Sequence, residues 1–154
     1  MKIKTTTKTA SFEVGEARTI YRKLAKGEAP KITNSCQAYE IFKPLFAEMQ
    51  DTREEFRVMY LTRNNLVITT ELIGIGGATA TVVNIQGIFR TAILLNAQGL
   101  ILAHNHPSGV NTPSEPDRKI TLQIKEAAKF FDINLIDHLI FGNDYFSFAD
   151  ENLI

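Results

Sequence analysis

The sequence of 154 residues has one cysteine, no tryptophan and no excess of charge of either sign. Since Cys36 has no second cysteine to pair with, an internal disulfide is excluded, and a reducing compartment is expected. No apolar run approaches the roughly 18 residues that span a bilayer, and the first residues lack the apolar segment of a secretory signal. We therefore expect a cytoplasmic protein without a membrane partner.

Charge balance also bears on nucleic acid. Seventeen Lys and Arg residues face seventeen Asp and Glu residues, so no whole-molecule field attracts a polyanion. Eight basic residues against three acidic ones do lie in the segment that ends at Lys31. Such an arm can touch an acidic partner, but scattered lysines more often only solvate a surface. We divide the chain into a basic N-terminal extension, 1–34, and a domain, 35–154.

Helices and strands alternate in the first half of this domain. Apolar spacing predicts a helix over 35–49, which Pro44 is expected to kink or divide. Two segments rich in β-branched and aromatic residues, 55–61 and 66–71, predict a hairpin. A short strand or loop then passes through Val82 and Val83.

The second half continues the alternation. A helix is predicted over 85–97, stopped by Gly99 in the left-handed conformation. The wholly apolar run 100–103 is typical of a buried central strand. The last predicted helix is 114–131. Two strands follow it, 135–141 and 145–148, and the turn 142–144 joins them. This pattern predicts an α/β fold.

Residues suited to metal chemistry follow the predicted buried strand, in the segment AHNHPSG at 103–109. His104 and His106 are two residues apart, so in extended backbone their imidazoles point to the same side. Asp117 lies on the first turn of the next predicted helix, close to the end of that strand. Because a catalytic zinc site uses three protein ligands and one water, the spacing favours zinc bound by His104, His106 and Asp117.

The same residues have a purely structural interpretation. The histidines can belong to a polar loop, and Ser114 and Asp117 are spaced almost as a helix capping box. The segment 112–115, Thr-Pro-Ser-Glu, is a better box with proline at the first helical position. Capping and metal binding are compatible, because a residue at a helix N-terminus already points out of the helix. His138, inside an apolar run, is expected to have a structural role.

Other His-x-His chemistries do not fit this chain. Amidohydrolase barrels need about 250 residues. Zinc nucleobase deaminases need an H-x-E pattern and P-C-x-x-C, which a single cysteine excludes. The H-E-x-x-H pattern of zincins is also absent.

The string HNHPSG followed by P-S-x-x-D resembles the JAMM (MPN+) metallohydrolase motif, in the form used by its RadC-like branch. The resemblance extends over roughly 35–150. Further matching positions are Ala97, Thr121, the Asp-His-Leu-Ile run at 137–140, Ser147 and Phe148. It implies a mixed β-sheet flanked by helices, in a cytidine-deaminase-like three-layer sandwich of JAB/MPN type.

The resemblance also implies an activity. It gives zinc as the cofactor, held by His104, His106 and Asp117, with Ser114 stabilising the oxyanion. A glutamate in a Glu-x-Phe pattern is the general acid/base, which here is Glu54. The implied reaction is hydrolysis of a peptide or isopeptide amide bond in a protein or peptide substrate by metal-activated water.

Glu55 is the alternative base, and a pair of surface glutamates is a third interpretation. Strand alternation gives a separate argument for Glu54, because it shares one face with Phe56 and Val58. That face must be largely buried, so a carboxylate at its head is expected to point into a cleft.

Two departures from the family pattern leave other functions open. Residues 84–87, Asn-Ile-Gln-Gly, stand where RadC-like domains usually have His-Pro-Arg-Glu, and the first 34 residues do not resemble the helix-hairpin-helix region of longer members. One alternative is a DNA-repair-associated or nucleic-acid-associated protein without peptidase activity, recognised by salt-dependent affinity for DNA. The other is a catalytically silent interaction module, which bound metal would argue against.

Overall fold

A five-stranded sheet organises the described part of the chain, which in this computed structural model comprises residues 4–7, 10–13, 28–47, 52–76 and 83–154. Its strands in chain order are β3 (Glu55–Leu61), β4 (Val67–Ile75), β5 (Gly99–Asn105), β6 (Asn134–Phe141) and β7 (Tyr145–Ser147). The helices are α1 (Ser35–Phe46), α2 (Ile85–Leu94) and α3 (Glu115–Lys129). Two short antiparallel strands, β1 (Lys4–Thr7) and β2 (Ala10–Glu13), pair with each other.

The order of strands in the sheet is β4-β3-β5-β6-β7. β3 is antiparallel to β4 and to β5, β5 and β6 are parallel, and β7 is antiparallel to β6. A parallel pair needs a crossover connection, which α3 supplies. The carboxyl ends of β5 and β6 and the N-terminus of α3 therefore meet at one edge of the sheet, where ligands of α/β proteins commonly bind.

Both faces of the sheet are covered by helices. On one face, buried residues of β3, β5 and β6 pack against α1: Met59, Leu61, Ile101, Ala103 and Leu139 against Ala38, Phe42 and Phe46. On the other face, β3 and β5 pack against α2 and α3: Val58, Tyr60, Leu100 and Leu102 against Ile88, Ala92, Ile124 and Ala128. The result is a three-layer sandwich with a mixed sheet, which confirms the predicted fold class.

The end of α2 differs from its prediction. The helix ends at Leu94, and the left-handed residue is Asn96, with φ of 52°. Asparagine tolerates this conformation, and Ala97 N–H closes the turn on Ala92 C=O at 2.9 Å. Gly99 instead begins β5, where a Cβ would lie 2.7 Å from Cδ1 of Ile136. Close packing, and not a helix cap, accounts for the glycine.

The start of the domain shows smaller differences. α1 runs undivided through Pro44 to Phe46, and Met49 lies outside the described residues, as does Val82. Val83 precedes α2 without strand structure. Ile32 is buried in the core beside α1, and Val67 N–H donates to Pro30 C=O, so residues before the helix line the sheet. Across the described ranges, no helix has both the length and the apolar character needed to cross a membrane.

Candidate metal centre

Two neighbouring elements bring a His-His-Asp cluster together at the carboxyl edge of the sheet. His104 lies near the end of β5, His106 follows that strand, and Asp117 is on the first turn of α3. His104 Nε2 lies 3.0 Å from His106 Nε2 and 3.1 Å from Asp117 Oδ1. His106 Nε2 lies 3.4 Å from Asp117 Oδ2. Within the described residues these three form a group that can hold a metal ion, as their spacing in the sequence predicted.

The backbone after β5 fixes the direction of His106. Its N–H donates to Phe141 C=O of β6 at 2.8 Å, and its own carbonyl accepts from Gly109 N–H at 3.0 Å. Gly109 closes this turn with φ of 79°, a conformation that glycine adopts without strain. Gly142 lies against it, and a Cβ at that position would overlap Gly109 C=O. Two glycines therefore allow the loop to return closely past the sheet towards α3.

A buried hydrogen-bond chain sets the tautomer of His104. Thr121 Oγ1 donates to Asp117 C=O at 2.5 Å, so it must accept the proton of His138 Nδ1, which lies 2.6 Å away. Burial is the main cause that lowers the pKa of His138, so this ring is neutral and its Nε2 is an acceptor. That nitrogen is 2.8 Å from His104 Nδ1, which must be the donor. His104 therefore presents the lone pair of Nε2 to the cluster.

His106 is oriented in the same way by the loop. Its Nδ1 lies 2.6 Å from Val110 C=O, which can only accept, so Nδ1 carries the proton and Nε2 the lone pair. Two lone pairs and a carboxylate consequently converge without a donor among them. A shared cation, either a proton or a metal ion, is needed to make this arrangement favourable. Ligand atoms on a tetrahedral zinc ion lie about 3.3 Å apart, so the observed separations fit such an ion.

The ionisation of the cluster reflects this convergence. When the shared cation is a proton, an Nε2 atom carries it and donates to Asp117. Burial alone would raise the pKa of Asp117, but hydrogen bonds from His104 and His106 in this protonated form hold it well below its ordinary value. The hydrogen bond to Asp117 raises the pKa of His106 against the opposing effect of burial, and the charge of Glu54 adds to the increase. The carboxylate is therefore ionised, and the site attracts a positive charge.

The N-terminus of α3 combines capping with presentation of Asp117. Ser114 is the N-cap, and its Oγ accepts from Asp117 N–H at 3.2 Å. Asp117 Oδ2 accepts from Ser114 N–H at 2.7 Å and from Ser114 Oγ at 2.6 Å. The capping box is therefore Ser114 with Asp117, and the prediction that Thr112 starts a better box is wrong. Proline occupies the second helical position, as Pro116.

The two neighbouring glutamates differ sharply in environment. Glu55 is 2% exposed, and its carboxylate accepts from Arg53 at 3.0 Å and Arg57 at 2.8 Å, so its charge is already paired. Glu54 lines a cleft of about 600 Å³ together with His106 and Ser114. The structure thus brings Glu54, and not Glu55, to the cluster. The roles of Glu54 and Ser114 in a reaction stay predictions.

Comparison with known proteins assigns the family. A model described as "RadC-like JAB domain" matches residues 32–153. The chain belongs to the RadC-like JAB domain family. Curated relatives carry the name UPF0758 protein. One from Flavobacterium johnsoniae is 40% identical over 80% of this chain and 53% of its own length, and one from Porphyromonas gingivalis is 37% identical over 90% and 62%. YeeS of Escherichia coli is 45% identical over 66% of this chain and 70% of its own length.

This RadC-like chain spans little more than half the length of the first two relatives. Within it, sequence reasoning missed the residues that support the cluster. His138 is buried and hydrogen-bonded within β6, in keeping with the structural role that the sequence predicts, but the sequence does not predict its contact with His104. The sequence predicts no role for Thr121 or Asn105. Their polar character at buried positions was the available signal, since buried polar side chains need partners.

Proposed function

We propose that this RadC-like domain is a zinc-dependent hydrolase that cleaves a peptide or isopeptide amide bond. The observation that supports the proposal is the convergence of His104 Nε2, His106 Nε2 and an Asp117 carboxylate beside a cleft lined by Glu54. Two imidazoles and one carboxylate are a ligand set that zinc accepts, with one position left for water. When bound there, zinc supplies a Lewis acid that lowers the pKa of water and polarises a carbonyl oxygen.

The residues around the cleft divide the remaining work. Glu54, which lines the cleft together with His106, accepts the proton of the attacking water and returns it to the leaving amine. Ser114 can donate to the oxyanion of the tetrahedral intermediate only when its hydroxyl proton leaves Asp117, to which it donates in this structure. His138 and Thr121 hold His104 in its acceptor tautomer, and Val110 C=O does the same for His106.

Metal content tests the first half of the proposal. The purified protein is expected to hold about one zinc per chain by elemental analysis. His104→Ala should abolish this, because two remaining ligands do not hold the ion tightly. An unchanged zinc content in that variant would contradict the assignment of the site.

Hydrolysis is tested without knowledge of the natural substrate. Zinc-loaded protein is incubated in H₂¹⁸O with a defined peptide mixture that includes lysine-branched isopeptides, and mass spectrometry detects new carboxyl termini that carry ¹⁸O. Glu54→Gln should keep zinc and lose ¹⁸O incorporation, because the amide cannot accept the proton. Glu55→Gln should keep both, at some cost in stability since two arginines lose their full counter-charge. Reversed phenotypes would move the base to Glu55.

A further inference from the structure

The pairing of β3 with β5 changes character beside the metal centre. Regular antiparallel pairing joins Leu61 to Gly99 at one end and reaches Phe56 and His104 at the other. Beyond that pair, the side chain of Asn105 takes over from the backbone. Its Oδ1 accepts from Glu55 N–H at 2.7 Å, and its Nδ2 donates to Arg53 C=O at 2.8 Å. The side-chain amide of Asn105 therefore replaces the backbone hydrogen bonds that would form the next pair of the two strands.

These two hydrogen bonds lie on either side of Glu54. The carbonyl of Glu54 itself accepts from Gly76 N–H at 2.8 Å, at the end of β4. Three consecutive residues, 53–55, are thus each held through a backbone group, two of them by one side chain. The direction of the Glu54 Cα–Cβ bond is fixed as a result.

We propose that Asn105 is the positioning residue for Glu54, holding its carboxylate at the working distance from the metal centre. This inference rests on the proposed function. Asn105 is fully buried, and it lies between His104 and His106 in the sequence, so one tripeptide orients the metal ligands and the base together. Backbone pairing of β3 with β5 ends at Phe56 and His104, and the side chain of Asn105 makes the next link. Glu54 and His106, the residues next to the bridged positions, line the same cleft.

The chemistry of the bridge requires asparagine. Glu55 N–H needs an acceptor and Arg53 C=O needs a donor, and a primary amide offers both in one plane. Aspartate keeps the acceptor but places a carboxylate oxygen against the Arg53 carbonyl. Alanine lacks both the acceptor and the donor, so both hydrogen bonds are lost. The two variants therefore differ in what they lose, while Asn105→Asp keeps the shape of the side chain.

The experiment uses the whole chain and compares Asn105→Ala and Asn105→Asp with the wild type. Asn134→Asp is the matched control, because it makes the same change at an exposed position. Asn134 begins β6 and pairs with Gly99, at the end of the strands far from His104. Three quantities are measured. They are zinc per chain, the ¹³C signal of the Glu54 carboxyl group before and after addition of zinc, and ¹⁸O incorporation into the peptide mixture. The carboxyl signal is assigned by its loss in Glu54→Gln.

In the wild type and in Asn134→Asp, zinc should shift the Glu54 carboxyl signal. Both Asn105 variants should bind about one zinc per chain but show at most half of that shift. The rate of ¹⁸O incorporation by the alanine variant should fall about 100-fold, since a displacement of about 1 Å has that effect on catalysis. Asn105→Asp decides the question if the alanine variant fails to fold.

Three results would overturn the inference. The first is a wild-type rate of ¹⁸O incorporation and a wild-type Glu54 shift in both variants, which would make the bridge purely structural. The second is loss of zinc in parallel with activity, which would mean that Asn105 acts through the histidines. The third is a ¹³C signal of the wild-type Glu54 carboxyl group that does not change when zinc is added. If the wild type binds zinc but releases no ¹⁸O-labelled product, the proposed function fails, and the carboxyl shift alone still decides the role of Asn105.

Discussion

Replacing Thr121 with valine tests whether the buried hydrogen-bond chain keeps His104 ready for metal. The hydroxyl of Thr121 joins Asp117 C=O to His138 Nδ1, and His138 in turn contacts His104 Nδ1. Valine has nearly the same shape and removes only the hydroxyl. Thr121 is 2% exposed and His138 is fully buried, so water cannot replace the lost partner without rearrangement.

Two separate losses are expected from Thr121→Val. The N–H of His138 loses its acceptor in a buried site, which lowers the free energy of unfolding of the metal-free protein by about 1–3 kcal/mol. His138 can then adopt the other tautomer, in which its Nε2 carries the proton. His104 Nδ1 would have to accept that proton's hydrogen bond, so the His104 proton would move to Nε2, the atom proposed to bind the metal. Loss of such an outer partner typically weakens metal binding by about 10- to 100-fold, or roughly 1.4–2.7 kcal/mol.

Denaturant titration of the metal-free protein measures the first loss, and zinc affinity by competition with a chelator measures the second. Thr121→Ser is the control, because it keeps the hydroxyl and removes only a methyl group. Its zinc affinity should stay within about threefold of the wild type. If Thr121→Val were destabilised but bound zinc as tightly as Thr121→Ser, the chain from Asp117 to His104 would have only a structural role.

Three further predictions concern the surroundings of the cluster. Zinc affinity should fall about tenfold per pH unit below the raised pKa of His106, because proton and metal compete for Nε2; an affinity that stays constant between pH 8 and 6 would contradict this. Asp137→Ala should cost about 2–4 kcal/mol in denaturant unfolding, and Asp137→Asn much less, since Asp137 accepts from Ser147 Oγ and from two backbone N–H groups. Gly142→Ala should lower the melting temperature and weaken zinc binding, because the new Cβ displaces Gly109.

The convergence of His104, His106 and Asp117 was predictable because its geometry is local. A strand repeats every two residues, which places His104 and His106 on one side, and the loop of 107–113 is short enough to bring α3 back to the same edge. Asp117, on the first turn of α3, then lies next to the two histidines without any further contact being required. No long-range information enters this argument, so the sequence pattern was sufficient for these three residues.

The supporting residues depend on contacts that a pattern of this kind does not contain. His138 lies 34 residues from His104, and its contact follows from the parallel register that pairs Leu102 with His138. Asn105 reaches a segment 50 residues away, and its partners are backbone groups, which carry no residue identity. The buried position of both polar side chains indicates that they have partners, but only the sheet register identifies them.

The choice between Glu54 and Glu55 lies between these two cases. Arg53, Glu55 and Arg57 alternate along the chain, so in a strand they share one face and neutralise one another, as the two ion pairs show. Glu54 falls on the face of Phe56, whose ring stacks on His104 with centroids 6.0 Å apart. Charge alternation in the sequence therefore identifies Glu55 as the paired carboxylate, and the stacking identifies the face that contains the His-His-Asp cluster. Glu54 stands at the head of that face and lines the cleft, and the backbone groups of its two neighbours are bridged to β5, so it is the carboxylate that we propose as the base.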